Sequence, residues 1–165
     1  MNKLFLVSSC LCGNKCRYDG SIVDPKSHPT VWDLIQKGQV VPVCPEVLGG
    51  LPVPRSPAEI SGGTGSSVLE GKARVVNRAG QEVTENYCMG SKRGLVIGLQ
   101  TGCNAAILKS RSPACGLGLI YDGTFSGNTI EGDGVFAALL KTYGFKVFSE
   151  ENFGLTNKYG AEGGI

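Results

Sequence analysis

Three short apolar runs in this 165-residue chain each lead into a cysteine: "LFLVSSC" ending at Cys10, "VVPVC" ending at Cys44 and "AAILKSRSPAC" ending at Cys115. Short apolar runs bounded by turn residues are the mark of strands buried on both faces. Pro42 fits the second run best at an edge or a bulge, because proline has no amide proton for a ladder. Between and after the runs the pattern turns helical. "TVWDLIQKG" (30–38) predicts a helix with Thr30 as N-cap and Gly38 as its stop. Residues 84–101 predict a second helix, with Gly90, Gly94 and Gly98 on one face where they permit close packing. "GVFAALLKTYG", capped by Asp133, predicts a third, and "KVFS" a last strand. Strands alternating with helices imply an α/β, Rossmann-like sandwich with a mainly parallel central sheet. Right-handed crossovers then bring the strand-end loops to one edge, where open α/β sheets bind ligands. Cys10, Cys44 and Cys115 are expected to meet there.

The remaining segments are expected to decorate this core. Residues 45–66 read as a long loop, and "VLEGKARVVNRAGQEVT" as a small β-hairpin insert turning at Ala79-Gly80. Residues 110–128 read as a glycine-rich loop. One domain is expected over 1–153, followed by a frayed, polar, glycine-rich tail over 154–165. Tyr-Asp-Gly occurs twice, at 18–20 and 121–123, each time after a cysteine-bearing loop. Two ordinary turns are the plain alternative.

Composition narrows the chemistry. A net charge of +2 argues against a large nucleic-acid partner. Only Leu4 to Val7 forms a continuous apolar run before Ser8-Ser9-Cys10, against the roughly 7–15 residues of a signal-peptide core, so lipidation is disfavoured. No run approaches the ~18 apolar residues of a membrane helix. A cytoplasmic protein is therefore expected, and its seven cysteines, an odd number, do not form a disulfide framework.

Metal or reactive thiols remain. Zinc favours close pairs such as C-x₂-C, and no such pair occurs; the single histidine, His28, reads as a surface or capping residue. The redox C-x-x-C is absent for the same reason. Three thiolates holding a four-iron cluster would leave one iron open as a Lewis acid. Glu46, two residues after Cys44, could activate water, and Ser112, or alternatively Ser110, could donate to a developing charge. Cys88 and Cys103 read as packing residues and Cys12 as a bystander, while Cys16 could enter the site from the first loop. Arg17, Arg55 and Arg111 could orient a polar substrate or be solvated.

The segments "CLCGNKCRYDG", "VCPEVLGGLPVPRSPAEI", "ILKSRSPACG", "IYDGTFSG" and "EGDGV" occur in an order that resembles the thiouracil desulfidase family, long catalogued as a domain of unknown function. The resemblance runs from about Leu4 to Glu150. It implies a non-redox enzyme with a 4Fe–4S cluster on three cysteines, converting small thiolated pyrimidines to the oxo base and hydrogen sulfide. On that pattern Cys10, Cys44 and Cys115 match the cluster ligands, Glu46 the acid/base residue and Ser112 its hydroxyl partner. Cys12 stands where a leucine is expected, and Ala114 where a serine is expected. A cluster- or zinc-binding sensor and a cluster-dependent hydro-lyase are the competing functions. No dinucleotide G-x-G-x-x-G follows the first strand.

Overall fold

Side chains alternate across two central strands. On β1 (Phe5–Ser8), Phe5 and Val7 face one core while Leu6 faces the other. On β5 (Ala105–Leu108), Ala105 and Ile107 join the first core, and Ala106 and Leu108 the second. A strand buried on both faces must carry apolar residues at every position, which is why these runs are uninterrupted. The computed structural model describes residues 3–154. All of the expected tail except Gly154 lies outside the described residues.

In chain order the elements are β1, α1 (Pro29–Gln36), β2 (Val40–Val43), α2 (Pro45–Leu48), β3 (Ala58–Ser61), α3 (Gly65–Leu69), β4 (Arg74–Asn77), α4 (Thr84–Gln100), β5, β6 (Leu119–Tyr121), β7 (Thr129–Glu131), α5 (Val135–Thr142) and β8 (Lys146–Ser149). The central sheet is parallel, in the order β2-β1-β5-β8. Pro42 pairs with Val7 on the edge strand β2, where a missing amide proton is tolerated. Val31 and Leu34 of α1, together with Phe153, cover one face, packing on Phe5 and Val7. Leu95 of α4 and Phe136 and Leu140 of α5 cover the other. The chain thus crosses one face from β1 to β2 and the other face from β2 to β5, so the strand order reverses between β1 and β5, where a crevice opens beyond their C-terminal ends.

The glycine row on α4 is what brings its neighbours close. A Cβ at Gly90 would stand 1.7 Å from the Pro45 carbonyl oxygen of α2, and one at Gly94 would stand 2.8 Å from the Phe136 ring. Gly98 likewise abuts Leu6 and Phe145. Three atoms of missing side chain therefore let α2, α5 and β1 pack against one helix.

Several sequence expectations need correction. Segment 45–66 is not a structureless loop: it carries α2, β3 and the start of α3. The expected hairpin forms as a short antiparallel bridge, Val76 opposite Glu82, while the main partner of β4 is β3, with Ala58 opposite Asn77. Thr64 starts α3 through a capping box with Ser67, which draws Val68 and Leu69 into a helix. The turn at Ala79-Gly80 does form, closed by Asn77 N–H to Gln81 O at 2.9 Å. The 110–128 loop contains β6, which pairs with β7 as a second small hairpin. Thr30 lies inside α1, which begins at Pro29 because proline's fixed φ suits a first helical position. Asp133 does not cap α5. Its two oxygens take the Gly118 amide and Lys141 Nζ, both at 2.8 Å, and Gly134 is the N-cap residue.

Candidate functional site

The strand ends converge as their sequence implies. A 3-10 turn, Ser9–Cys12, follows β1 directly and carries Cys10; Cys44 ends β2 as the N-cap residue of α2; Cys115 lies in the loop beyond β5. All three line one cavity of about 560 Å³, together with Cys16, Glu46 and Ser112. Cys12 packs against the α1 core, Cys88 against the α4 core, and Cys103 is buried in the latter. None of these three lines the cavity.

Cys16 is closer to the centre than its sequence position announces. Its thiol contacts those of Cys10 and Cys44; the Cys10 contact first, and then burial, push it up to about 11 against the opposing pull of Cys44. The Cys44 thiol is pushed well up by its bond with Cys16 and then by burial. Cys115 is raised by burial, opposed by the Ser8 hydroxyl, which donates to its sulfur. Four cysteines therefore line one cavity, and metal binding by their thiols would displace protons. Among the described residues no three His, Cys, Asp or Glu side chains close on a single ion. A four-iron cluster asks for a wider cradle, since each thiolate binds a different iron. A soft, all-sulfur donor set at a buried strand edge fits such a group.

Glu46 is held from one side. Its Oε2 accepts the Tyr87 hydroxyl at 2.5 Å and Arg55 Nε at 3.3 Å. Oε1 makes no hydrogen bond among the described residues. Tyr87 comes from α4, is 1% exposed, and has its phenol raised well above the usual range by burial and then by the Glu46 carboxylate. It therefore stays a donor. Arg55 is not a solvated cation: its side chain is 6% exposed and also donates to Cys16 O at 2.8 Å and Pro52 O at 3.1 Å. That guanidinium ties the first cysteine loop to the loop after α2. Arg17 lines the cavity, and Arg111 lines it too while pairing with Glu151 at 3.2 Å.

The loop after β5 sorts the two serines. The Ser110 hydroxyl donates to Glu150 Oε2 at 2.9 Å, and its amide to Oε1 at 2.8 Å. Lys109 Nζ reaches the same carboxylate at 2.9 Å. Ser112 Oγ instead accepts the amides of Ala114 and Cys115, both at 3.1 Å, which leaves its own proton free for a ligand in the cavity.

Tyr87, Ser8, Glu150 and Glu59 all act around this cavity without being singled out by sequence. Tyr87 is set 41 positions from Glu46, inside a helix whose pattern marks it only as core. Ser8 alone carried a local signal, as the polar end of a buried strand.

Comparison with known proteins bears on the chain as a whole. The sequence matches the 2-thiouracil desulfurase family over residues 5–152. It is 48% identical over 147 residues to an uncharacterized protein of Bacillus subtilis (strain 168), YbbK, covering 89% of this chain and 95% of that one. The fold is similar to that of TudS, a [4Fe-4S]-dependent thiouracil desulfidase, with a TM-score of 0.78 and 38% identity over 92% of this chain and 93% of that one.

Proposed function

This chain belongs to the 2-thiouracil desulfurase family, and from that premise we propose that it is an iron–sulfur-dependent, non-redox desulfidase acting on thiolated pyrimidines. Cys10, Cys44 and Cys115 hold a 4Fe–4S cluster, and Cys16 lies beside it. When bound by three thiolates, such a cluster supplies an open, soft iron that favours a thiocarbonyl sulfur over oxygen. The observation that carries the reading is the convergence of these thiols with Glu46 and Ser112 on one cavity.

Glu46 takes the proton from water. Tyr87 and Arg55 hold Oε2, which fixes the carboxylate and leaves Oε1 to take that proton. Hydroxide oxygen bonds to the ring carbon as the C=S electron pair moves to sulfur. Ser112, anchored through its lone pairs, directs its O–H at the developing charge. Glu46 then returns its proton to sulfur, the C–S bond breaks, and the hydroxyl proton passes to Glu46 as the oxo base forms, so that sulfur departs as hydrosulfide and the second proton of water follows it to solvent. Electrons balance without NAD or flavin.

Anaerobically reconstituted protein supplied with thiouracil, and separately with hydroxy acids, tests this against a hydro-lyase. Sulfide release from thiouracil alone is expected. Sulfide release that Glu46→Gln leaves at full rate would overturn the general-base assignment.

A further inference from the structure

The two Tyr-Asp-Gly turns are the same device built twice. In the first, Asp19 Oδ1 accepts the Ser21 amide at 2.9 Å and its hydroxyl at 2.6 Å. In the second, Asp122 Oδ1 accepts the Thr124 amide at 2.9 Å and its hydroxyl at 2.5 Å. Gly20 and Gly123 both take positive φ, at 74° and 92°. Tyr18 and Tyr121 line the cavity from the two turns, and Phe125 joins them just beyond the second.

Phe125 is held there against its own preference. Its φ is 56°, a region that a bulky aromatic residue rarely occupies and that persists only when the surroundings over-determine it. The surroundings do so. Glu59, 8% exposed, accepts the Gly123 amide at 2.9 Å and the Phe125 amide at 3.1 Å through one oxygen. Gly123 packs so closely that a Cβ would meet the Ile60 carbonyl oxygen at 2.5 Å. The Arg78 guanidinium lies over the Phe125 ring, 5.4 Å from its centroid. A loop clamped this way is a fixed wall rather than a mobile flap.

We propose that the paired turns are a ring-recognition device: they fix Tyr18, Tyr121 and Phe125 as aromatic walls that select a planar heterocycle over a puckered or acyclic thiocarbonyl. This rests on the pyrimidine desulfidase reading and adds how the ring is chosen. Stacking of a base on an aromatic side chain is sequence-tolerant and geometry-sensitive, because only a flat ring offers a full π-face.

The test is calorimetric binding of uracil and of non-planar 5,6-dihydrouracil to reconstituted wild type, Phe125→Leu, Phe125→Tyr and Tyr18→Leu, with iron content and kcat measured alongside. Wild type should prefer uracil. Phe125→Leu and Tyr18→Leu should each weaken uracil by about 5- to 150-fold, leave dihydrouracil within about twofold, and keep wild-type iron. Phe125→Tyr should retain the preference. Equal loss of both ligands, or none, would overturn the inference. If wild type desulfurises thiouracil while the leucine variants keep its ring preference, this inference alone fails. If wild type releases no sulfide yet shows aromatic-dependent uracil binding, the inference stands and the desulfidase reading fails.

Discussion

Gly90→Ala adds one methyl group where α4 meets the helix that carries Glu46. The new Cβ would lie 1.7 Å from the Pro45 carbonyl oxygen and 2.8 Å from the Gly49 nitrogen. Ordinary contact begins near 3.4 Å, so α2 must retreat by roughly 1.7 Å along that direction. Both obstacles are backbone atoms, which cannot rotate aside. In an open helix the same change would gain about 1 kcal/mol from helix propensity. Over-packing costs about 1–3 kcal/mol in ordinary cores, and a rigid backbone obstacle belongs at the upper end, so a net loss of about 2 kcal/mol is expected. For a domain of this size that lowers Tm by roughly 4–8 °C. Activity should suffer more. Displacing a catalytic group by about 1 Å can cost 10²-fold, and Pro45 is the residue next to Glu46. Differential scanning calorimetry and anaerobic sulfide release, with exposed Lys92→Ala of the same helix as control, measure both. An unchanged or higher Tm with activity within twofold of wild type would refute the close-packing explanation.

Tyr87→Phe deletes one charge-assisted bond to Glu46 and should lower kcat by roughly 10-fold or more, with iron content unchanged; a full rate would show that Arg55 alone holds the carboxylate. Arg55→Ala leaves Glu46 without its buried counter-charge and frees the Cys16 carbonyl, so a loss of about 3–5 kcal/mol is expected in denaturant unfolding. Cys44→Ala and Cys115→Ala should bleach anaerobically purified protein, whereas Cys103→Ala, which removes only a packing thiol of the α4 core, should leave it brown by absorption spectroscopy. Burial raises the Glu150 carboxyl, but the bonds and charge of Lys109 and the two bonds from Ser110 outweigh it, so its net position is below the usual carboxylate range. A depressed folded value contributes stability above the unfolded value of about 4.3 and loses it as pH falls through the folded value. Glu150→Gln should therefore be less stable than wild type at pH 7, and that gap should narrow in acid; a gap independent of pH would show that charge plays no part.

The parts of the site legible in sequence are those where one local pattern carries the information. An apolar run followed by cysteine marks a strand end, and three such ends in a parallel sheet leave the thiols little choice but to meet. The spacing of Gly90, Gly94 and Gly98 announced a close-packed helix face, although not what packs on it. What stayed hidden depends on tertiary placement. Tyr87 looks like any core aromatic until α2 brings Glu46 against it. Strand β3 is four residues long, and its pairing with β4 outweighs any preference of its own. Cys16 gave no strand-end signal because it arrives from a loop that Arg55 holds in place. Ser112 and Ser110 are indistinguishable by spacing, and only their different hydrogen-bond partners separate them.

Hydrolytic, non-redox removal of sulfur is most directly tested by running anaerobically reconstituted protein on thiouracil in ¹⁸O-labelled water, without reductant, and analysing both products. One labelled oxygen in each oxo base formed, with one sulfide released per base, is the expected result. Unlabelled product, or a colourless preparation with stoichiometric zinc that releases no sulfide, would contradict it.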